Sequence, residues 1–253
     1  MLTHDTVPAK INFLGVNLHD VTMDETLDLI DTFVEGRKLL RMFSVNVACY
    51  VDSREDSFMR SFYDHCELLT IDGMGIYYAG KLLGLSFRET VPTSYLTLEL
   101  LKIAAHKKYR IYILGSKPAY LDRALKYIEE QYPGVHIVGS SHGYFTIEEE
   151  PGIVERIASS NPDILLIGIS TPIKERFVSR NCKLLNTPVQ IGVGGTIDVL
   201  AGVTHLPPKW VRRAGLEWVN RLRQEPQRFW KKYLRTNAIF GMILLKSLLL
   251  PNR

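Results

Sequence analysis

Hydrophobic and polar positions alternate along this chain with two periods, and these patterns predict its elements. Apolar runs of strand length occupy residues 11–16, 39–47, 68–71, 110–114, 135–138, 164–169 and 189–193. Between them, apolar residues recur at helical spacing, as Leu27, Ile30 and Phe33 do after the capping box at Thr22–Glu25. Strands that alternate with amphipathic helices form right-handed βαβ units. We therefore predict an α/β fold with a mainly parallel, Rossmann-like sheet that helices cover on both faces.

The helices follow from the same spacing and from residues that begin or end a helix. Gly36 ends the first helix, Pro118 begins another, and Thr93 or Ser94 is expected to cap the helix that runs to His106. The remaining predicted helices are 48–63, 75–83, 118–131, 148–159, the segment from Pro172 to Leu185, and 197–200. Together with the strands they form one α/β domain of ordinary size up to residue 205.

Charge and aromatic residues mark the end of the chain as a second part. Residues 209–235 contain nine Lys or Arg and two Glu, whereas the chain before residue 209 contains twenty basic and twenty-five acidic residues. All three tryptophans, Trp210, Trp218 and Trp230, lie in this basic stretch. We predict that residues 206–253 form a basic, aromatic-rich helical appendage that binds anions or faces a membrane.

Spacing within the appendage predicts how its side chains are arranged. Arg221 and Arg228 are seven residues apart and would share a helical face, and Arg213 with Glu217 would form an i,i+4 pair. The strongly apolar segment 238–250 is thirteen residues long, shorter than the roughly 20 needed to span a bilayer. It favours peripheral membrane contact. The alternatives are that it folds back onto the core, that it forms a subunit interface, or that the basic aromatic tail binds nucleic acid.

Several classes of protein are disfavoured by what the sequence lacks. It has no G-x-x-x-x-G-K-[ST] motif, no G-x-G-x-x-G after the first strand and no G-x-S-x-G, which argues against P-loop NTPases, dinucleotide oxidoreductases and α/β-hydrolases. The three cysteines and seven histidines have no metal-ligand spacing. The first residues have no signal-peptide pattern, so we expect a reducing cytoplasmic setting.

The stretch that runs from Leu68 into Asp72 and Gly73 is the best candidate for chemistry. An Asp at the carboxyl end of a buried strand, beside glycines, is a typical active-site carboxylate in an open α/β sheet. The residues alone also allow Asp72 to be the cap of a helix that begins near Met74. Ligands of such sheets bind at the carboxyl ends of the strands, where a small, polar and glycine-rich set of residues suits a ribose and phosphates. This set is Ser44, Asn46, Asp72, Gly115, Ser116, Lys117, Ser170, Thr171, Gly194, Gly195 and Thr196.

Four stretches carry a resemblance to a known family. They are Asp72–Ile76 (Asp-Gly-Met-Gly-Ile), Tyr109–Pro118, Gly192–Gly202 (Gly-Val-Gly-Gly-Thr-Ile-Asp-Val-Leu-Ala-Gly), and the tail sequence Pro207–Trp218 continuing through Gln224–Trp230. Together they resemble the WecG/TagA/CpsF family of bacterial glycosyltransferases (glycosyltransferase family 26), over about residues 11–240. The last two blocks are long and specific.

The resemblance implies an inverting glycosyltransferase that moves a sugar from a UDP-sugar to a polyprenyl-diphosphate-linked saccharide in cell-surface polysaccharide synthesis. Such a protein would be cytoplasmic and peripheral on the inner face of the cytoplasmic membrane. Its partners would be the UDP-sugar, the lipid-linked acceptor and the membrane surface, without nucleic acid, and a homo-oligomer stays open. Neither a cofactor nor a metal is expected, because pocket donors and tail arginines would stabilise the leaving diphosphate.

The resemblance also implies roles for individual residues. Asp72 corresponds to the proposed general base of the family, and Ser44 and Asn46 keep the hydroxyl and the amide of the family's Thr-Pro-Asn motif. The candidates for nucleotide binding are Gly115, Ser116, Gly168, Gly194, Gly195 and Asp198. The candidates for diphosphate binding are Arg213, Arg221 and Arg228.

The sequence departs from the family pattern at three places. Val-Thr-Gly-Ser-Asp is replaced by residues 91–95, Ala-Pro-Lys-Gln-Glu-Lys by residues 171–176, and Thr-Pro-Asn-Pro-Glu by residues 44–48. These changes affect polar groups that could read the sugars. The donor is therefore open between N-acetylmannosamine, its uronic acid and another hexose. The rivals from other classes are a nucleic-acid-binding protein and a nucleotide-dependent enzyme with a soluble acceptor, such as a methyltransferase.

Overall fold

The computed structural model describes residues 8–250, apart from the side chains of Lys209 and Arg228. The strands are β1 (Lys10–Phe13), β2 (Val16–His19), β3 (Leu40–Val45), β4 (Leu68–Ile71), β5 (Arg110–Gly115), β6 (His136–Ser141), β7 (Ile164–Gly168) and β8 (Val189–Gly192). The helices before residue 205 are α1 (Met23–Glu35), α2 (Val47–Glu55), α3 (Ser57–Asp64), α4 (Met74–Leu82), α5 (Thr93–Lys107), α6 (Pro118–Gln131), α7 (Glu150–Ser159), α8 (Ile173–Asn181) and α9 (Thr196–Leu200). Three further helices follow: α10 (Lys209–Arg213), α11 (Glu217–Gln224) and α12 (Pro226–Leu249).

The main sheet confirms the predicted fold class. Over residues 8–250 it contains six strands in the order β4-β3-β8-β7-β5-β6, and every neighbouring pair is parallel. Side chains of β3 alternate between two hydrophobic cores: Phe43 and Val45 join one, and Leu40 and Met42 join the other. Because β3, β4 and β8 are neighbours, the residues that follow them meet at one edge of the sheet.

The prediction of a single first strand over residues 11–16 is wrong. The chain instead forms a separate antiparallel hairpin, in which β1 and β2 are joined by Leu14 and Gly15. Both turn residues have positive φ, 47° and 90°, as a two-residue hairpin turn that follows the strand twist requires. Asn12 stabilises this turn by accepting the backbone N–H of Gly15 at 3.1 Å. The sequence reading missed the turn and so joined two short strands into one.

Two helix predictions also need correction. The helix predicted over 48–63 is broken at Asp56, whose carboxylate accepts the N–H of Phe58 at 2.9 Å and caps α3. Neither Thr93 nor Ser94 caps α5. The cap residue is Pro92, which has an extended backbone (φ −67°, ψ 128°) and makes no side-chain capping bond. Thr93 is therefore already the first helical residue.

The appendage is helical as predicted, but its helices are shorter than the spacing argument assumed. Gly215, with φ 73°, separates α10 from α11, so Arg213 and Glu217 are on different helices and form no i,i+4 pair. A second break at Glu225 separates α11 from α12, so Arg221 and Arg228 do not share a helical face. Glycine at the first break and proline after the second are the residues that end and begin these helices.

Helix α12 lies against α2 and the hairpin. The ring of Phe240 is buried, 6.3 Å from Phe13 and 5.6 Å from Tyr50 between ring centroids. Lys232 forms an ion pair with Asp52 at 3.0 Å, and Arg235 forms one with Glu55. One face of the apolar segment thus folds back onto the core, which was one of the alternatives left open by the sequence.

The opposite face of α12 is exposed along its length. Its apolar side chains there are Trp230, Leu234, Met242, Leu245, Leu248 and Leu249. At about 100° per residue these positions fall within roughly one third of the helix circumference and form one stripe. Among the described helices, none combines the length and the apolar character needed to cross a membrane. The division into parts 1–205 and 206–253 stays a prediction.

Candidate active site

Asp72 lies directly after β4, at the carboxyl edge of the sheet. Its backbone N–H donates to the carbonyl of Val45 at 2.9 Å, which fixes it beside the end of β3. It does not cap α4, because the cap position is Gly73, with φ 93°, and no side chain makes a capping bond there. The carboxylate instead accepts a long, 3.4 Å hydrogen bond from Ser44 Oγ. The alternative of a purely capping role is wrong.

Arg221 reaches this edge from the appendage. Its guanidinium lies on the backbone of Gly195, so that a Cβ atom built on that glycine would stand 2.7 Å from Nη1 and 3.3 Å from Cζ. The same charge is close enough to Asp72 to lower the pKa of its carboxyl group. One side chain thus joins the loop after β8 to the carboxylate after β4. Only a residue without Cβ permits this approach at position 195.

The pKa of Asp72 is set by opposing influences. Burial raises the pKa above its usual value, since the carboxylate loses hydration. The charge of Arg221, the Ser44 hydrogen bond, and the charges of Lys174 and Arg212 act against this increase, in that order. The net effect is a raised pKa, so this desolvated carboxyl group accepts a proton more readily than an exposed aspartate. It does so even though cations are nearby.

Lys174 is a cation of this site that the sequence reading did not single out. Its side chain is buried, and Nζ contacts Glu175 Oε1 at 2.5 Å as well as Thr171 Oγ1. Its stem packs on β8, with Cε 3.1 Å from a Cβ built on Gly192. The departure of residues 171–176 from the family pattern was the available signal, because the pattern has Gln at the position of Lys174. A lysine here adds a buried positive charge behind Asp72.

Glu217 is a second carboxylate that the sequence reading missed in this role. It begins α11, and its Oε2 atom is 3.8 Å from a Cβ built on Gly73, next to Asp72. Burial and the charge of Asp72 raise the pKa of Glu217 to about 7, although Arg212 and Arg221 oppose the increase. Arg212 itself lies over the ring of Tyr95, 4.6 Å from its centroid. The appendage therefore brings acidic as well as basic groups to the sheet edge.

The glycines predicted to bind a nucleotide have two different surroundings. A Cβ built on Gly115 would lie 2.5 Å from the backbone of Gly168, so these two residues let β5 and β7 approach closely. Gly194 has φ 53° and nothing within 4 Å of its Cβ position, which leaves its backbone accessible to a ligand. Ser116 Oγ donates to Asp198 Oδ1 at 2.5 Å and ties the end of β5 to α9. Their nucleotide-binding roles stay predictions.

For three further predicted residues, the described part of the structure shows no side-chain contact with Asp72. The side-chain oxygen of Asn46 accepts the N–H of Cys49 at 3.0 Å and caps α2, so Asn46 has a structural task beside Ser44. Arg213 is exposed, and its backbone carbonyl accepts a hydrogen bond from Tyr78 Oη at 2.5 Å. The side chain of Arg228 lies outside the described part of the chain. The roles assigned to these residues are untested.

Within residues 8–250, as far as side chains are described, His, Cys, Asp and Glu form no group of three or more that would suit a metal ion. The expectation that the protein uses no metal stays a prediction.

The fold places this site where open α/β sheets bind their ligands, at the carboxyl edge of the strands. A carboxylate, a glycine loop and arginines meet at that edge. Comparison with known proteins is more specific. The profile of the glycosyl transferase WecG/TagA/CpsF family matches residues 11–253, and the chain therefore belongs to that family. The resemblance inferred from the motifs is confirmed.

Similar proteins include one from Bacillus subtilis and one from Staphylococcus aureus. The chain is 32% identical over 163 residues to the N-acetylglucosaminyldiphosphoundecaprenol N-acetyl-beta-D-mannosaminyltransferase of Bacillus subtilis (strain 168). The aligned residues make up 64% of this chain and 62% of that protein. It is 26% identical over 235 residues to the protein of the same name from Staphylococcus aureus (strain MW2), over 91% of this chain and 89% of that protein. Similarity to the second relative thus extends over nearly the whole length of both chains.

Proposed function

We propose that this protein is an inverting glycosyltransferase that moves a sugar from a UDP-sugar to a polyprenyl-diphosphate-linked saccharide, in the synthesis of a cell-surface polysaccharide. Family membership and the names of the relatives, which describe transfer to a diphosphoundecaprenol-linked sugar, support the reaction class and the acceptor. The observation that carries the proposal is the convergence of Asp72, Gly195 and Arg221 from three separate parts of the chain.

Asp72 is the general base of the proposed reaction. Its carboxylate takes the proton of the acceptor hydroxyl as that oxygen attacks C1 of the donor sugar. The bond between C1 and the diphosphate oxygen breaks, and UDP leaves with the bonding electrons. One direct displacement inverts the configuration at C1 and needs one base. A desolvated carboxylate with a raised pKa suits this task, and Ser44 orients it through the 3.4 Å hydrogen bond.

Arg221 is the group proposed to bind the diphosphate. It lies on the loop that contains Gly194 and Gly195, where the positive φ and the open space at Gly194 would let backbone N–H groups reach phosphate oxygens. A fixed guanidinium stabilises the charge that develops on the leaving UDP. Arg212 supplies a second positive charge near Asp72. Arg213 and Arg228 remain proposed contributors to the same function.

Helix α12 is proposed to contact the cytoplasmic face of the membrane, where a polyprenyl-linked acceptor resides. Its exposed apolar stripe runs from Trp230 to Leu249, and Lys231 extends beside the Trp230 ring at 5.4 Å. A stripe of this kind with adjacent basic residues is typical of a peripheral helix that lies in the headgroup region. Since the other face of α12 packs on α2, such contact would hold the active site near the membrane.

The identity of the donor sugar follows less directly. N-acetylmannosamine is the sugar in the relatives' names. However, Lys174 stands where the family pattern has Gln, and residues 91–95 also depart from it. A buried cation beside Asp72 changes what the pocket can recognise. We therefore propose a hexosyl or uronosyl donor as an alternative to N-acetylmannosamine.

A transfer assay tests the function. Full-length protein is incubated with a short-chain polyprenyl-diphosphate-linked N-acetylglucosamine and a panel of UDP-sugars, and the glycosylated lipid and the released UDP are quantified. Equal amounts of both products with one UDP-sugar support the proposal and name the donor. Parallel thermal-shift measurements include UDP, S-adenosylmethionine and single-stranded RNA. Stabilisation by S-adenosylmethionine or RNA, with none by UDP or any UDP-sugar, would favour the methyltransferase or the nucleic-acid-binding alternative.

A further inference from the structure

Glu217 occupies an unusual position for an acidic residue. It belongs to the basic appendage, yet its carboxylate is directed at Gly73 and lies beside Asp72, at the point where an anionic substrate is expected. A carboxylate placed there repels both Asp72 and any diphosphate that enters. The inference that follows rests on the proposed function, because it takes the ligand of Arg221 to be a diphosphate.

Charged and titratable groups surround Glu217 on several elements. Asp72 follows β4, Arg212 belongs to α10, and Arg221 lies one turn further along α11. Tyr95 on α5 is also near Glu217: burial raises the pKa of its phenol, and the charge of Glu217 raises it further. Lys174, which acts on Asp72, is already paired with Glu175. The two arginines are thus balanced by two carboxylates before any substrate is present.

This balance cannot persist when a diphosphate arrives. Two additional negative charges near Arg212 and Arg221 would leave four anionic charges facing two cations in a partly desolvated space. Protonation of one carboxyl group relieves the repulsion. Glu217 is the better acceptor of this proton, because Asp72 also has the Ser44 hydrogen bond and the nearby Lys174 charge to hold it ionised.

We propose that Glu217 is the proton-binding group of the diphosphate site, which takes up one proton when the nucleotide diphosphate binds beside Arg212 and Arg221. Binding and protonation are then linked, so the affinity for the donor falls as pH rises above neutrality. Above the pKa of the free carboxyl group, which is about 7, the linked affinity falls by up to about tenfold per pH unit. Glu217 thereby sets the pH range in which the site formed with the appendage binds the donor tightly.

Isothermal titration calorimetry with the full chain and UDP at pH 8 tests this. The titration is repeated in Tris and in HEPES, whose heats of ionisation differ, so the difference in observed heat gives the number of protons exchanged. UDP does not contribute at pH 8, because a terminal phosphate loses its last proton near about pH 6. We expect the wild type to take up about half a proton or more, and Glu217→Gln, which keeps the shape but cannot ionise, to take up almost none.

Two further comparisons sharpen the result. The UDP affinity of the wild type should fall between pH 7 and pH 9, whereas that of Glu217→Gln should change little and exceed the wild-type value at pH 9. Glu225→Gln is the matched control, since it changes a carboxylate at the end of the same helix, and it should behave like the wild type. Asp72→Asn should still take up protons, although fewer, because the charge of Asp72 contributes to the raised pKa of Glu217.

The outcomes separate this inference from the proposed function. Absence of UDP binding to the wild type would refute the proposed function and the inference with it. UDP binding without proton uptake, or equal uptake by the wild type and Glu217→Gln, would refute the inference alone. Loss of uptake in Asp72→Asn with retention in Glu217→Gln would assign the proton to Asp72 and overturn the role given to Glu217.

Discussion

The guanidinium of Arg221 lies on the backbone of Gly195, with Nη1 2.7 Å from the position that a Cβ atom would occupy there. These residues come from different parts of the chain: Gly195 precedes α9, and Arg221 is in the appendage helix α11. Their contact closes the appendage over the sheet edge beside Asp72. A substitution that breaks the contact between Arg221 and Gly195 should therefore weaken ligand binding at that edge more than it destabilises the fold.

Gly195→Ala is the most economical test of this contact. Gly195 has φ −78° and ψ 13°, a conformation that alanine adopts without strain, so the fold should be retained. The new methyl group would displace the tip of Arg221, and a lost charge-assisted hydrogen bond should weaken UDP binding by about tenfold or more. Titration calorimetry measures the affinity, and circular dichroism checks the fold.

Two controls show whether the effect of Gly195→Ala acts through Arg221. Gly241→Ala adds a methyl group where nothing lies within 4 Å and should leave UDP binding unchanged. Arg221→Ala should weaken binding, whereas Arg223→Ala, an exposed arginine on the same helix, should have little effect. The double variant with Gly195→Ala and Arg221→Ala should bind no worse than Arg221→Ala alone. Additive losses would contradict the explanation.

The exposed stripe of α12 predicts membrane affinity that is separate from catalysis. Replacing Leu234, Met242 and Leu245 by Gln should lower binding to vesicles with anionic lipid by more than about tenfold, since each side chain loses on the order of 1 kcal/mol of apolar burial. Cosedimentation measures the binding. UDP affinity should not change.

A matched variant guards against a general effect of surface polarity. Ile147 and Leu184 are exposed apolar residues of the α/β part, and replacing both by Gln should leave vesicle binding unchanged. Equal loss of binding in the two variants, or no loss in the α12 variant, would remove the assigned membrane role of this stripe.

Buried His19 predicts acid sensitivity. Its Nδ1 accepts the N–H of Leu69 at 2.9 Å and holds the hairpin to β4, and burial, with a further contribution from Lys10, lowers its pKa to about 4. The unfolded chain, with an ordinary histidine pKa near 6.5, binds the proton first as pH falls. Its contribution to stability is therefore complete above pH 6.5 and is lost as pH falls towards 4, by about 2 to 3 kcal/mol.

Chemical denaturation at pH 7 and pH 4.5 measures this contribution. In His19→Asn an amide oxygen can still accept the Leu69 N–H, so the variant should fold at both values and lose less stability on acidification than the wild type. His136→Asn, at an exposed position, should follow the wild type. The same pH dependence in all three proteins would show that His19 is not the group responsible.

The sheet edge could be predicted from sequence because the end of a strand is visible in the local residues, where an apolar run gives way to polar residues or glycine. Apolar runs stop at Asp72 and Gly194, and parallel strands bring such ends together. The hairpin turn at Leu14 and Gly15 escaped because a leucine with positive φ is rare and gives no turn signal. The local pattern therefore predicts strand ends well, but it did not predict this turn.

Long-range contacts explain what the sequence did not reveal. Glu217 was read as a helical partner of Arg213, but the break at Gly215 turns it towards Gly73, which is distant in sequence. Lys174 was recognised as part of a departure from the family pattern, but its pairing with Glu175 and its charge near Asp72 depend on how α8 packs on β8. Spacing along one helix cannot show either contact.

Asp72→Asn tests the central claim most directly. The amide keeps the shape and can still accept the Ser44 hydrogen bond, but it cannot take a proton. With the UDP-sugar that the wild type uses and a polyprenyl-diphosphate-linked acceptor, we expect kcat to fall by about 100-fold to 10,000-fold. UDP affinity should be equal or higher, because a negative charge beside Arg221 is removed. Asp122→Asn, on the exposed surface of α6, should keep both values. Turnover by Asp72→Asn within a few-fold of the wild-type rate would contradict the assignment of Asp72 as the base.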